Sequence, residues 1–264
     1  MRNFDKQPEQ TVQKDLVVGR NAVMELLKSN REIDRILVAP TDNKGSIVRI
    51  LALAREKGVP IKDTTPQKLD AITSGASHQG VIAFCAAHEY VSVEDILNKA
   101  KEKDHAPFII VCDEIEDPHN LGAILRTAEA CAVDGVIIPK RRNVGLTSVV
   151  AKTSAGAVEY VPVARVANIA ETIDSLKKQG VWFYAADMKG QNWCEVDYSG
   201  GVGLIVGSEG NGISRLVKEK SDFLISLPMQ GNITSLNASV AASVLMYEIA
   251  RQRLGLKTIQ PKVK

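Results

Sequence analysis

Four wholly apolar runs set the strongest limit on how this 264-residue chain can fold: Phe108-Ile109-Ile110-Val111-Cys112, Val136-Ile137-Ile138, Val181 to Ala185 and Gly203 to Val206. None of them alternates polar with apolar side chains, so each has to be covered on both faces. Between and beyond them lie stretches with helical spacing, at Asn120 to Cys131, Leu146 to Ser154 and Ile169 to Gln179. Val158 to Val163 reads as extended, and Phe223 to Leu227 as a further short apolar strand. Such alternation predicts an α/β domain with a mostly parallel sheet and helices on both sides. The domain closes on a long helix whose predicted apolar face is Leu236, Val240, Val244 and Tyr247, spaced four, four and three.

A second, smaller α/β pattern precedes it. Asn21 to Leu27 reads as a helix, Arg35 to Val38 as a strand, and Ile47 to Lys57 as a helix stopped by Gly58 with Pro60 beyond. Pro66 to Thr73 fits a helix that begins with proline, and Val81 to Cys85 a buried strand. The charged stretch EYVSVEDILNKAKEKDH, residues 89–105, reads as a part-helical connector. The predicted organisation is therefore a flexible tail (1–15), a small domain (16–88), a linker (89–106), a large domain (107–254) and a basic tail (255–264).

Composition narrows the class without choosing within it. With 45% hydrophobic and 24% charged residues the chain reads as an ordinary soluble globular protein. No apolar run approaches the roughly 18 residues that cross a bilayer, and the polar start lacks a signal-peptide core, so a cytoplasmic protein with no membrane partner is expected. A formal charge of +2 neither proves nor excludes a basic nucleic-acid face. Cys85, Cys112, Cys131 and Cys194 are scattered, with no ligand-like pairing and no histidine at metal spacing; they read as buried reduced thiols, and no metal is expected.

Three loops could carry chemistry. In DEIEDPHNLGAILR, Asn120 is a natural N-cap for the helix that follows, and Arg126 falls off its apolar stripe. Arg126 reads either as a solvated surface cation or as a guanidinium placed to hold a phosphate or a developing charge. The turn Gly207-Ser208-Glu209-Gly210-Asn211-Gly212 is neither a P-loop nor a dinucleotide fingerprint, and a tight structural turn explains it as well as a ligand site does. Glu209, an acid between glycines, serves no core. In NITSLNAS, Ser235 and Asn237 flank a helix start, where capping is the plain explanation and a site the sharper one.

Taken together the three loops are more specific than any one. DPHNLGAILRTAEA, IVGSEGNGIS and ISLPMQGNITSLNASVAASVLMYEIARQR resemble, in that order, the three motifs of the SpoU (TrmH) family, S-adenosylmethionine-dependent RNA ribose 2'-O-methyltransferases of the SPOUT class. The resemblance covers about residues 107–253. The front unit, with HQGV at 78–81, is similar to that family's N-terminal RNA-binding domain. The layout is most similar to members that methylate a guanosine ribose in 23S ribosomal RNA, free or in an assembling large subunit.

The resemblance implies a C-terminal trefoil knot, which topology rules alone would never suggest, and a homodimer with S-adenosyl-L-methionine as cofactor. It places Asn120 and Arg126 in the first motif, Glu209 in the second, and Ser235 and Asn237 in the third, as catalytic positions. Arg126 is the favoured catalytic residue among them. Gly207, Leu227 and Leu236 match positions whose backbone surrounds the cofactor, and Arg141-Arg142 would add phosphate contacts. A transfer RNA target and a non-catalytic RNA-binding or ribosome-assembly protein stay open as alternatives.

Overall fold

The computed structural model describes residues 14–29, 31–40, 45–86 and 88–257. Most of both expected tails lies outside the described residues. The chain forms two compact units, Met1–Glu89 and Tyr90–Lys264.

The first unit is built on a four-stranded sheet of β1 (Lys14–Val18), β2 (Ile33–Val38), β3 (Ile61–Asp63) and β4 (Val81–Ala86) in the order β1-β4-β2-β3. Strand β4 runs antiparallel to both neighbours, and β3 is parallel to β2. Period-two geometry sorts the side chains of β4: Val81, Ala83 and Cys85 enter one core, and Ile82 the opposite one. The first core is closed by α1 (Arg20–Lys28) and α2 (Ser46–Glu56), the second by α3 (Pro66–Thr73). Thr65 caps α3 through Lys68 N, one residue ahead of the expected proline start.

The second unit carries a six-stranded, wholly parallel sheet in the order β10-β8-β9-β5-β6-β7. Its strands are β5 (Phe108–Asp113), β6 (Gly135–Pro139), β7 (Val163–Val166), β8 (Val181–Asn192), β9 (Gly201–Gly207) and β10 (Phe223–Ser226). Every residue of β5 is buried, as a strand covered on both faces requires. Phe108, Ile110 and Cys112 point into a core shared with α5 (Pro118–Ala130) and α9 (Ala238–Arg253). Ile109 and Val111 point into the other, shared with α4 (Val93–Glu102), α7 (Ile169–Lys177) and α8 (Arg215–Lys220). The short helix α6 (Ser148–Thr153) and one 3-10 turn, Ala157–Glu159, complete the unit.

Three expectations need correction. Residues 89–106 are not a free connector: a Ser92–Asp95 capping box starts α4, and Ile96, Leu97 and Ala100 are buried in the second unit. Charged residues dominate that stretch because only one narrow stripe of α4 is covered. Val158 to Val163 is a 3-10 turn followed by a strand that starts at Val163, not a continuous extended segment. The closing helix buries a different face from the one predicted. Ala238, Ala242, Leu245, Met246 and Ile249 are inside, whereas Leu236, Val240, Val244 and Tyr247 are 41, 48, 37 and 58% exposed. Alanines let α9 approach the sheet closely, and a helix that is apolar nearly all round gives periodicity no means of choosing its inner face.

Candidate functional site

Strand order fixes where a ligand can sit. Going outward from the adjacent pair β5 and β9, the chain continues through β6 and β7 on one side and occupies β8 and β10 on the other. Between such divergent connections a crevice opens at the carboxyl ends of the strands. Asp113 ends β5 and Gly207 ends β9, and the two are register partners. The loops that leave them are the first two loops singled out in the sequence.

The first loop turns at Glu114, whose φ of 60° is left-handed. It enters α5 through Asp117, whose Oδ1 accepts from His119 N at 2.8 Å. Asp117, not Asn120, is therefore the N-cap, and Pro118 fills the first helical position. The Asp-Pro pair was the available sequence signal. Freed from capping, Asn120 is 6% exposed in the first turn and faces the second loop.

The second loop folds back on itself: Ser208 N donates to Gly212 O at 3.1 Å and Gly212 N to Ser208 O at 2.9 Å. A Cβ on Gly207 would lie 2.2 Å from the carbonyl carbon and oxygen of Gly212, so only glycine permits this doubling. The turn presents Glu209 outward.

The third loop ends on Asn237, which performs two tasks with one amide. Its Oδ1 accepts from Ser239 N at 3.0 Å and Val240 N at 3.3 Å, capping α9. Its Nδ2 donates to Asn120 Oδ1 at 2.9 Å and also to Glu209 Oε1. Asn120 Nδ2 donates to the same Glu209 oxygen at 3.1 Å. Three side chains from three loops thus close a triangle of hydrogen bonds, with both amides converging on Oε1 and Oε2 outside the triangle. Capping and site assembly, posed as alternatives for Asn237, are both realised.

Beside the triangle lies a cavity of about 290 Å³. Glu114, Glu116, Asp117 and Glu209 supply its charge, and no lysine or arginine lines it. Such a site accepts hydrogen bonds from hydroxyl and N–H donors and repels phosphate. Glu114, Glu116, Asp117 and Ser208 were not among the residues chosen from the sequence. Only the closeness of β5 to β9 brings them together.

The other expected site residues are not drawn into the triangle. Arg126 is exposed on α5, two turns beyond the cap, and no described hydrogen bond joins it to Asn120, Glu209 or Asn237. Ser235 is exposed in the loop before α9 and is likewise outside. Gly207, Leu227 and Leu236 all follow the carboxyl ends of parallel strands. Leu227 packs partly against the core, whereas Leu236 leaves 41% of its surface exposed, as do its loop neighbours Met229 (36%) and Ile233 (75%).

Cys85, Cys112 and Cys131 are buried as expected, whereas Cys194 is exposed, because it falls in the turn just past the end of β8 and not in an element of the core. Thiol chemistry has no support at Cys112 or Cys131. Burial pushes the Cys112 thiol up to about 12, with Asp113 adding to the effect, and burial pushes Cys131 up to about 11. Among the described residues no group of three or more His, Cys, Asp or Glu could hold a metal ion, and no helix is long and apolar enough to cross a membrane.

Comparison with known proteins supplies the remaining observation. Residues 107–247 match the SpoU rRNA methylase family, and residues 16–91 match an RNA 2'-O ribose methyltransferase substrate-binding family. A putative TrmH family tRNA/rRNA methyltransferase of Bacillus subtilis (strain 168) is 48% identical over 242 residues, covering 91% of this chain and 97% of its own. Among solved structures, an RNA 2'-O ribose methyltransferase aligns with a TM-score of 0.76 at 25% identity, over 92% of this chain and 90% of that one. An AdoMet-bound rRNA methyltransferase from Sinorhizobium meliloti shares the fold, with a TM-score of 0.74 at 23% identity over 91% and 88% of the two chains.

Proposed function

Because this chain belongs to the SpoU methylase family and is an S-adenosylmethionine-dependent RNA methyltransferase, we propose that it methylates the ribose 2'-hydroxyl of a guanosine in 23S ribosomal RNA. The observation that carries the reading is the Asn120–Glu209–Asn237 triangle, drawn together from positions 89 and 117 residues apart at the carboxyl ends of β5 and β9. A protein that only bound RNA would have no use for a polar network held this tightly beside a phosphate-repelling cavity.

Bound S-adenosylmethionine supplies an electrophilic methyl group on a sulfonium. Gly207, Leu227 and Leu236 would hold the cofactor, the glycine through bare backbone and the leucines through apolar contact. The acidic cavity would receive the ribose, because hydroxyls are donors and the carboxylates around them are acceptors. The two amides hold the Glu209 carboxylate in place, leaving Oε2 able to accept the 2'-hydroxyl proton's hydrogen bond. Positioning of the hydroxyl in this way supplies much of the rate. Arg126 would stabilise the developing alkoxide rather than act as a free base, since a guanidinium is almost never neutral. Arg126 does not line this cavity, so in this reading a guanidinium reaches the hydroxyl held there from a second protomer. Ser235 would contribute from the same rim.

A homodimer is supported by the exposed apolar residues Val240, Val244 and Tyr247 on the outward face of α9, with Leu236 exposed in the loop just ahead of its cap. A trefoil knot is part of the same proposal and rests on the family assignment alone; at Gly190 in β8 a Cβ would lie 2.4 Å from Ile225 N of the paired strand β10, where the register shifts, so glycine is required there for the pairing itself. A cytoplasmic location follows from an RNA substrate. No metal is assigned a role.

The experiment is methyl transfer from labelled S-adenosylmethionine to unmodified 23S RNA transcript and to bulk transfer RNA, followed by mapping of the modified position. Label at one guanosine ribose of 23S RNA is expected. Label only in transfer RNA would overturn the target, and label on a base would overturn the 2'-hydroxyl chemistry.

A further inference from the structure

The acidic cavity raises a problem for any RNA that uses it. A ribose carries a phosphodiester on each side, and both are strongly anionic. At near-contact distances each carboxylate–phosphate pair is strongly unfavourable. The backbone therefore has to leave the cavity within one nucleotide, and some neighbouring surface has to receive it.

The adjacent loop between β6 and α6 has the required chemistry. It carries Lys140, Arg141 and Arg142 in succession, and Arg165 joins them by donating from Nη2 to Lys140 O at 3.0 Å. All four residues are exposed. Against these cations stands Glu114, whose Oε1 accepts from Arg142 Nη1 at 3.1 Å. Asp113 is nearby but already committed, its Oδ2 accepting from Ser214 N at 2.7 Å. A second cavity, of about 240 Å³, is lined by Arg141, by Asp113 and by Glu114, which it shares with the first; Lys140 and Arg142 lie outside it, on the exposed loop.

The basic loop is also fixed relative to the acidic cavity. Ile115 N donates to Asn143 Oδ1 at 2.8 Å, and Val144 N donates to Ile115 O at 2.9 Å, so the β5–α5 and β6–α6 loops are zipped together. Glu114 and Arg142 meet across this seam with φ of 60° and 55°. Two residues with exposed or half-exposed side chains hold an unfavourable backbone state where no core demands it.

We propose that the exposed Lys140–Arg142 loop, outside both cavities, holds the phosphodiester next to the target ribose, with Glu114 as the divide between the acidic cavity and this basic rim. This rests on the RNA-methylation reading and adds to it the path of the strand: sugar and base in the acidic cavity, backbone across Glu114, phosphate on Arg141. Arginine suits the task because its planar fork meets two phosphate oxygens at once. Arg142 is shared, held by Glu114 in the free protein and close enough to the seam to serve the phosphate as well.

The test uses the full chain with Arg141→Gln and Lys140→Gln/Arg141→Gln. Both side chains are exposed, so thermal melts matching wild type are expected. In binding assays with fluorescein-labelled single-stranded RNA of mixed sequence, each removed cation should lower the log–log salt slope by about one. Replacing the phosphodiesters by neutral methylphosphonates should weaken wild type about tenfold more than the double variant, since the charge pair is already gone there. In methyl transfer to 23S transcript, KM for RNA should rise about tenfold with kcat within about twofold, and cofactor affinity unchanged. Equal salt slopes and equal sensitivity to methylphosphonate in wild type and variants would overturn the role of the basic rim. Failure of wild type to methylate any RNA would instead overturn the functional reading, and the binding arm would still decide the role of the rim.

Discussion

The two ends of the parallel sheet are built on opposite terms. At the amino ends, polar groups are spent on bracing. Arg253, in the last turn of α9, donates to Ala106 O, Pro107 O and Gly200 O at 2.9, 2.9 and 2.8 Å, and its guanidinium lies 5.0 Å from the Phe108 ring centroid. Asp134, fully buried, accepts from Phe108 N at 2.8 Å, with His105 Nε2 3.3 Å from its other oxygen. These contacts tie the starts of β5, β6 and β9 to the last helix and leave little to offer a ligand. At the carboxyl ends the same sheet keeps a left-handed Glu114, a doubled glycine loop and a cavity lined with carboxylates. Stability is concentrated at one end and unspent binding capacity at the other, as the crevice rule for open α/β sheets leads one to expect.

Substitutions at each end can break or sharpen that contrast. The largest effect is expected from Arg126→Ala, which should lower methyl transfer by about a thousandfold and leave the melting temperature near wild type, because the side chain is exposed. Retained activity in initial-rate assays would remove Arg126 from the mechanism. Asn237→Ser separates two roles at the carboxyl end. Serine can still cap α9 but is too short to reach Asn120 and Glu209, so activity should fall about a hundredfold while stability changes by less than about 1 kcal/mol. A large loss of stability in urea titrations would mean that the triangle is scaffold rather than site.

At the amino end the pattern should reverse. Arg253→Ala removes three hydrogen bonds, although Pro107 O keeps Val202 N at 2.8 Å and Ala106 O keeps His105 Nδ1 at 2.9 Å, and a destabilisation of about 1–3 kcal/mol is expected with kcat unchanged in the protein that stays folded. A kcat defect without a stability defect would contradict the division of labour. Tyr247→Lys, on the outer stripe of α9, should weaken self-association about tenfold without unfolding the chain; sedimentation velocity over a concentration series would show it. An unchanged dimer, or a monomeric wild type, would show that this stripe is not the interface.

The smallest effect concerns pH. The bonds from Arg251 hold Glu248 below the ordinary carboxylate range, against the cost of burial and with help from Gln252. A depressed folded-state pKa stabilises the protein above the unfolded value near 4.5, and that contribution is lost as pH falls below it. Glu248→Gln should therefore flatten the acid limb of stability below about pH 4.5 and do little to its shape near pH 7. An unaltered acid limb would show that other carboxylates govern acid unfolding.

Local sequence carried much of this molecule, and the reason differs from place to place. Uninterrupted apolar runs such as Phe108 to Cys112 can be satisfied only by burial on both faces, so the parallel sheet and its covering helices were legible from composition in a short window. Gly207, Glu209, Asn120 and Asn237 were legible as unusual residues in loops after apolar strands. Asp117 was missed as the cap although Asp-Pro announced it, because Asn120 offered a second plausible helix start three residues later. Position alone could not say which of two caps the backbone would use.

What the sequence by itself determined is therefore the layering, the division into two α/β units and the loops in which chemistry can reside, all of which depend on contacts within a few residues or on period. Only the tertiary structure decided which face of α9 is inside, that Ile96, Leu97 and Ala100 of α4 enter the second unit's core, and that Asn120, Glu209 and Asn237 meet while Arg126 and Ser235 stand apart. Those outcomes depend on strand order. Placing β9 beside β5 brings together loops about 90 residues apart in the chain, and no local pattern encodes which strands become neighbours.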